Sequence, residues 1–343
     1  MILERDILEP ARLHLEQLLK RPVKAKAARG QHDGPDAIFH AGDLVFVVEA
    51  RASNRLAVIR QACEQARRCA TAGGPGTIAL VAVPFMGPTG RQACAEADIS
   101  FIDAAGNARI ETPALLVHVQ GRPNTSSVRG RPSSVFAPRS SRVTRLVLLD
   151  PERWWQQKDL AAEAGIGRGT VSKIVARLRG NGLLEANNGL VRPSDPSLLL
   201  DAWKDEYDFS RHRIVAGHVD ARSGEELADR FAQAARQHSV EYGFTGFPAA
   251  DRLAPFAGFR LVAAYLRRPP QEMLLQSLGF HNEDKGANLW LMIPDDDGVF
   301  AGSKDIAGRP CVSAVQTYLD LLNMPERAKE TADQLRKVCL SWR

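Results

Sequence analysis

The sequence predicts a multidomain α/β protein with a small helical domain in its middle. At 343 residues the chain is longer than one ordinary domain, and two or three domains are expected. Apolar, strand-like runs alternate with amphipathic helical segments over residues 1–121 and again over residues 209–343, which is typical of α/β domains. Between these regions, a basic stretch rich in proline precedes short helical segments that are separated by glycines.

The composition is that of a globular protein in an aqueous compartment. Hydrophobic residues make up 44% and charged residues 25% of the chain, and the net charge is +5. No apolar run approaches the roughly 18 residues that a membrane helix needs, and the N-terminus reads as an amphipathic helix rather than a signal peptide. The five cysteines contain no C-x-x-C pair. We therefore expect free thiols, a cytoplasmic location and no contact with membranes.

The first candidate site lies in the segment PDAIFHAGDLVFVVEAR, residues 35–51. Its pattern predicts two strands joined by a tight turn at Ala41-Gly42. Asp36 opens the first strand, whereas Glu49 and Arg51 close the second. Nucleases of the PD-(D/E)xK class place an Asp and a Glu-x-Lys on such a hairpin, where the carboxylates hold a metal ion that activates water.

Residues 1–121 thus resemble the restriction-endonuclease-like fold, with Asp36, Glu49 and Arg51 at the three active-site positions. Arginine keeps the positive charge of lysine, but its planar guanidinium and very high pKa make it chemically different from the lysine of these nucleases. Asp43 is better explained as a turn residue, and Glu16 is a further carboxylate. We expect an inactive domain that contacts nucleic acid or dimerises, with no metal or cofactor. Under the nuclease alternative, Asp36 and Glu49 would hold Mg²⁺.

A basic linker is predicted over residues 122–142. No acidic residue occurs between Glu111 and Asp150, and proline, serine and glycine give the segment no helical or strand period. Cations held near DNA release counterions when they bind it. Arg129, Arg131 and Arg142 are therefore candidates for phosphate contacts.

Residues 143–208 are predicted to form a winged helix-turn-helix. The segment reads as helix, glycine-containing turn, helix and hairpin, and the second helix has an apolar face at helical spacing. The wing would turn at Asn187-Asn188-Gly189. The candidate DNA-binding residues are those of the opposite, cationic and hydroxylated face together with one wing residue: Arg168, Thr170, Ser172, Lys173, Arg177 and Arg192.

Residues 209–343 predict a C-terminal α/β domain with a regulatory or assembly role. Asp295, Asp296 and Asp297 are adjacent and therefore project in different directions, which favours a solvated turn over a metal site. The histidines of this region share no ligand spacing. No catalytic pair of acids is visible.

Three phrases carry a family resemblance: FIDAAGNARI (101–110), LLDAWKDEY (199–207) and VSAVQTYLDLLNMPERAKETADQL (312–335). They resemble the AbiEi-like antitoxin and transcriptional-regulator family of type IV toxin–antitoxin systems. The resemblance implies a repressor that binds double-stranded DNA, controls its own operon and is linked to a toxin encoded nearby. It leaves homo-oligomerisation open.

Overall fold

The computed structural model describes residues 5–27, 34–112, 115–122, 134–283, 286–325 and 327–342. These residues form a mixture of helices and sheets, so the predicted α/β class is confirmed. They divide into two compact units. Unit 1 comprises residues 1–133, 175–186 and 201–206, and unit 2 comprises residues 134–174, 187–200 and 207–343. Arg129 and Arg131 lie outside the described residues.

Unit 1 is built on a seven-stranded sheet whose strands follow one another in chain order, β1 to β7. Its elements are α1 (Arg5–Leu19), β1 (Lys24–Ala27), β2 (Ala37–Ala41), β3 (Leu44–Ala50), α2 (Leu56–Gly73), β4 (Thr77–Val83), α3 (Pro88–Glu96), β5 (Ser100–Asp103), β6 (Ala108–Thr112) and β7 (Leu115–Val119). The pairs β3–β4 and β4–β5 are parallel and the other pairs are antiparallel. The predicted hairpin over β2 and β3 is confirmed.

Both faces of this sheet are covered, which explains its long apolar strands. Leu80 of β4 packs with α1, whereas Val81 faces the core formed with α2 and α3. Phe46, Val47 and Val48 of β3 are likewise buried. A strand with helices on both faces has no solvated side, so its sequence loses the alternation of apolar and polar residues.

The chain from residue 138 to residue 206 forms four helices and three short strands. They are α4 (Pro138–Leu149), β8 (Trp155–Gln156), α5 (Gln157–Ala164), α6 (Arg168–Gly180), β9 (Leu184–Asn187), β10 (Leu190–Pro193) and α7 (Pro196–Glu206). The strands form a sheet in the order β8-β10-β9. α4 begins inside the segment expected to be linker, with Pro138 in its first turn, where the missing N–H of proline costs no helical hydrogen bond.

Unit 2 contains a second seven-stranded sheet, in the order β14-β11-β15-β13-β12-β17-β16. Its elements are β11 (Arg213–His218), α8 (Gly224–Gln237), β12 (Tyr242–Thr245), α9 (Gly246–Leu253), β13 (Val262–Leu266), α10 (Glu272–Leu278), β14 (His281–Asn282), β15 (Leu289–Ile293), β16 (Lys304–Ile306), β17 (Arg309–Cys311), α11 (Ala314–Leu321) and α12 (Ala328–Cys339). The pairs β13–β15 and β12–β17 are parallel.

A hydrophobic core of unit 2 lies between this sheet and two helices. Phe231 of α8 and Leu274 of α10 pack against Phe244, Ala264 and Leu291 of the central strands. The helices α9, α11 and α12 contact one another. Among the described helices, none has the length and apolar character needed to cross a bilayer.

Candidate functional site

The helix α6 presents a polar, cationic face to solvent. The preceding helix α5 ends at Gly165, whose φ of 63° is left-handed and suits a residue without a Cβ atom. Three residues later α6 begins, with Val171, Ile174, Val175 and Leu178 buried at helical spacing. The face predicted to be exposed is exposed at Arg168, Thr170, Ser172 and Lys173, and Arg177 is half-buried.

Charge on α6 is of one sign only, because residues 168–180 contain no acid. Within the described residues, neither Arg168 nor Lys173 takes part in an ion pair. Arg168 also lies at the helix N-terminus, where free backbone N–H groups and the helix dipole favour anions. This end of α6 can therefore receive a phosphate group or the edge of a base.

The hairpin β9–β10 turns at Asn188 and Gly189, whose φ angles are both positive, 48° and 80°. Such angles suit the tight turn that the sequence predicted. On β10, the guanidinium of Arg192 lies 4.5 Å from the centre of the Trp154 ring and 3.7 Å from a carboxylate oxygen of Glu152. Arg192 is therefore half-buried at the hairpin and packs on an aromatic face.

Arg142 differs from the other candidate DNA contacts because its guanidinium is already engaged. It lies in α4 and binds Asp296 through two hydrogen bonds, Nε to Oδ1 at 2.7 Å and Nη2 to Oδ2 at 2.9 Å. A third bond runs from Nη1 to the carbonyl oxygen of Ala164, at the end of α5. The pairing with Asp296 raises the pKa of Arg142. Asp295 and Asp297 are exposed, as expected of a solvated turn, but Asp296 is a structural partner of Arg142, so the expectation was wrong for Asp296.

In unit 1, the fold brings Asp36, Glu49 and Arg51 together at the end of the hairpin β2–β3. Arg51 Nη1 lies 2.9 Å from Asp36 Oδ2, and Arg51 Nη2 lies 2.8 Å from Glu49 Oε2. Asp36 Oδ2 also accepts a hydrogen bond from the Ala50 backbone N–H at 2.7 Å. The guanidinium therefore bridges the two carboxylates.

The bridge leaves Glu49 in a poor environment for a negative charge. Glu49 is 1% exposed, and its second oxygen, Oε1, is buried without a hydrogen-bond partner. Burial and the nearby Asp36 carboxylate raise the pKa of Glu49 to about 7, although Arg51 opposes the shift. Arg51 binds one oxygen of each carboxylate and so bridges them as a divalent cation would, and the described residues contain no cluster of three metal-ligating side chains.

The two other carboxylates considered for this site have separate roles. Asp43 is exposed in the turn of the hairpin. Glu16 accepts hydrogen bonds from Arg12 and from the Val23 backbone N–H, and so braces the end of α1. Neither side chain adds a ligand to the Asp36 and Glu49 pair.

A buried polar cluster in unit 2 was missed by the sequence analysis. At its centre Asp320 of α11 accepts hydrogen bonds from Tyr207, Tyr265, Thr245 and Gln316, over 2.6, 3.0, 2.5 and 2.7 Å. Burial raises the pKa of Asp320 and those of both tyrosines. A signal was present in the phrase VSAVQTYLDLL, which places Gln316 and Asp320 four residues apart on a mostly apolar helix.

The cluster also connects α4 to the C-terminal sheet within unit 2. Arg145 of α4 is buried and donates to Gln316 Oε1 at 2.6 Å. His212 Nε2 lies 2.9 Å from the Tyr207 hydroxyl, and His212 Nδ1 accepts from the Asp295 backbone N–H at 3.3 Å. Since Tyr207 uses its own proton toward Asp320, His212 carries its proton on Nε2. Burial lowers the pKa of His212, which is therefore held neutral.

The fold and these sites define an α/β protein of two compact units, with an exposed cationic helix and a C-terminal α/β region. Residues 192–341 match the model of a family described as transcriptional regulator, AbiEi antitoxin, type IV toxin–antitoxin system. The resemblance to this family inferred from the sequence is thus confirmed for residues 192–341, which are less than half of the chain. Most of the Asp320 cluster lies inside the match, whereas α6 precedes it. No curated protein and no solved structure shows a significant match.

Proposed function

We propose that the protein is a sequence-specific DNA-binding transcriptional regulator of the antitoxin type, which represses its own operon. The observation that carries the proposal is the face of α6, where Arg168, Thr170, Ser172 and Lys173 are exposed on a helix without acids. Guanidinium, ammonium and hydroxyl groups are the side-chain donors that bind phosphates and base edges in the major groove. The family match over residues 192–341 supports the regulatory role.

The order of elements supports the same function. A winged helix-turn-helix consists of three helices followed by a hairpin. The same order occurs here, with α4, α5 and α6 before the β9–β10 hairpin and with β8 paired to β10. In that arrangement the second helix of the motif, here α6, enters the major groove. Arg192 on the hairpin would then reach the adjacent backbone, and Arg129 and Arg131, outside the described residues, would add phosphate contacts.

A metal-dependent nuclease is the alternative function, and the geometry of Arg51 counts against it. A nuclease of this class needs two carboxylates free to coordinate a divalent cation. Here the guanidinium binds Asp36 and Glu49 simultaneously, at 2.9 and 2.8 Å. We propose that residues 1–121 keep a restriction-endonuclease-like scaffold without its chemistry, and that they contact nucleic acid or a second copy of the chain. A toxin encoded nearby would be the functional partner.

A gel-shift experiment separates the two functions. The full-length protein is titrated against DNA from upstream of its own gene and against random DNA of equal length, with Mg²⁺, with Mn²⁺ and with a chelator. We expect intact upstream DNA to be retarded at lower protein concentration than random DNA, under all three conditions. Metal-dependent fragments that disappear in Glu49→Gln would instead establish a nuclease. Equal retardation of both DNAs would remove the claim of sequence specificity.

A further inference from the structure

We propose that Cys63 and Cys94 form a dithiol site that peroxide converts into an intramolecular disulfide. The two residues lie on α2 and α3 of unit 1, and their Sγ atoms are 3.7 Å apart. Both side chains are buried in the same core. The two cysteines lie outside α6 and outside the Arg51 bridge, so the inference goes beyond the proposed function.

Close approach of the two helices puts the sulfurs within reach of each other. A Cβ atom at Gly90 of α3 would lie 2.6 Å from Ile59 Cδ1 of α2, so the backbone of α3 approaches α2 closely at this position. Ile59 and Gly90 each precede one of the two cysteines by one helical turn. The contact between Ile59 and Gly90 therefore continues, one turn later, as the contact between Cys63 and Cys94.

The two sulfur atoms need only a small displacement to reach bonding distance. A disulfide has a sulfur–sulfur bond of about 2.0 Å, so each sulfur has to move by only about 1 Å. Rotation about the Cα–Cβ bonds moves each sulfur on its own side chain and contributes to this displacement. Ala62, Ala66 and Ala93, which surround the pair, are small. The position of the two thiols thus favours a bond between them over a bond to any other described cysteine.

We assign the first reaction to Cys63, which lies one helical turn before the cationic Arg67 on α2. The Cys94 S–H can donate to Cys63 and lowers the pKa of Cys63, and Arg67 adds to this effect. The same interaction and burial raise the pKa of Cys94. The Cys63 thiolate, after losing its proton to water, attacks one oxygen of hydrogen peroxide: an S–O bond forms, the O–O bond breaks, and the departing hydroxide takes up a proton.

The second step closes the disulfide. The Cys94 sulfur attacks the sulfenic sulfur of Cys63, the S–S bond forms, and the S–O bond breaks with loss of hydroxide, which takes the Cys94 proton and leaves as water. In total the two thiols lose two electrons, and one peroxide is reduced to two molecules of water. A thiol such as dithiothreitol reverses the change by exchange.

The helix α3 gives this bond a structural consequence within unit 1. Thr89 of α3 donates to the carbonyl oxygen of Asn181, just after α6, at 3.0 Å. Arg91 of α3 binds the Asp205 carboxylate of α7 at 2.6 Å. A disulfide fastens α3 to α2, and it therefore stiffens the segment of unit 1 that holds the ends of α6 and α7.

The test is peptide mapping of the full-length protein after brief treatment with hydrogen peroxide. Free thiols are blocked in denaturant, and the digest is analysed without reduction. We expect a Cys63–Cys94 cross-linked peptide, loss of two hydrogen atoms from the intact mass, and recovery of both thiols with dithiothreitol. Protein unfolded in urea before oxidation should lose the preference for this pair, because the pairing depends on the contact of α2 with α3.

Variants provide the matched controls. Cys339→Ser removes the most exposed of the five thiols and should leave the cross-link unchanged, whereas Cys63→Ser and Cys94→Ser should abolish it. Cys94→Ser should also accumulate a sulfenic acid at Cys63 that dimedone traps. Circular dichroism verifies that each variant is folded. The proposal would be overturned if peroxide oxidised Cys339 of the wild type while Cys63 and Cys94 remained reduced, so that the blocking reagent labelled both of them completely.

Discussion

The guanidinium of Arg51 donates to the buried carboxylate of Glu49 over 2.8 Å, while the other oxygen of that carboxylate has no partner. A metal ion could satisfy both oxygens of Glu49, but arginine reaches only one of them. Buried in this way, the Glu49 carboxyl group has a pKa raised to about 7. The protonation state of Glu49 can therefore be followed through the pH dependence of stability.

Glu49 should make the stability of the protein depend on pH. Its folded pKa of about 7 lies above the ordinary value of 4.5. As the pH rises from 4.5 to 7, the unfolded chain loses this proton while the folded chain keeps it, so stability falls, by roughly 3 kcal/mol in total. Glu49→Gln has no proton to lose. We therefore expect the melting temperature of Glu49→Gln to rise relative to that of the wild type as the pH increases from 5 to 8.

The control for this titration is Glu111→Gln, which removes an exposed carboxylate paired with Arg109 on the same sheet. Its melting curve should follow that of the wild type at every pH, since exposed pairs contribute little. Parallel curves for the wild type and Glu49→Gln across this range would show that Glu49 is not held protonated.

Removal of the bridging cation should make the site dependent on metal. In Arg51→Ala the Asp36 and Glu49 carboxylates lose their shared partner, and we expect a loss of stability of about 3 kcal/mol. Millimolar Mn²⁺ should restore part of the melting temperature, because a divalent cation can occupy the place of the guanidinium. The wild type and Arg12→Ala, which removes the pairings of Arg12 with Glu9 and Glu16 on α1, should show no change of melting temperature with Mn²⁺. An equal response of the wild type would show that Arg51 does not exclude metal.

The exposed face of α6 should determine affinity for DNA. Lys173→Ala should weaken binding of the upstream DNA by about 1–3 kcal/mol if Lys173 contacts a base, with relaxed specificity at one position. If it contacts a phosphate, binding of all sequences should weaken alike and the salt dependence should fall. Lys337→Ala removes an exposed lysine from α12 and controls for the loss of net charge. If Lys173→Ala and Lys337→Ala bound the upstream DNA with equal affinity, α6 would not lie in the major groove.

Arg142 and Arg139 should behave differently although both belong to the basic segment. Arg139 is exposed in the first turn of α4, whereas Arg142 is bonded to Asp296. Neutralising Arg139 together with Arg129 and Arg131 should reduce the slope of log affinity against log salt by up to about 0.9 for each phosphate that is no longer neutralised. Arg142→Ala should leave the slope unchanged and lower the melting temperature. If Arg142→Ala reduced the slope of log affinity against log salt and left the melting temperature unchanged, Arg142 would be a DNA contact.

Periodicity in the sequence predicted local elements well. The hairpin that carries Asp36 and Glu49 and the buried stripe of α6 both follow from spacing between near neighbours, which one stretch of chain contains in full. The start of α4 was hidden because proline and serine at a helix N-terminus have the same composition as a linker. The residues at these sites could therefore be named, but the partners of their side chains could not.

The pairs that the sequence did not reveal join residues far apart in the chain. Asp296 lies in an acidic run that suggests a solvated turn, yet its partner Arg142 comes from α4. Asp320 gathers Tyr207 and Tyr265 from separate elements. A single buried acid in an apolar helix indicates that donors must surround it, since an isolated buried charge is very costly, but not which residues supply them.

The Asp320 cluster should contribute strongly to the stability of unit 2. Asp320→Asn places an amide N–H₂ group among four donors, namely two tyrosine hydroxyls, Thr245 and Gln316, so at least one donor loses its acceptor. We expect a loss of about 3 kcal/mol or more, measured as the change in the urea midpoint. Tyr265→Phe removes one donor and keeps the ring, and should cost less, about 1 kcal/mol. Asp333→Asn makes the same charge change at an exposed position of α12 and should have almost no effect. Equal midpoints for Asp320→Asn and Asp333→Asn would show that the cluster does not stabilise the fold.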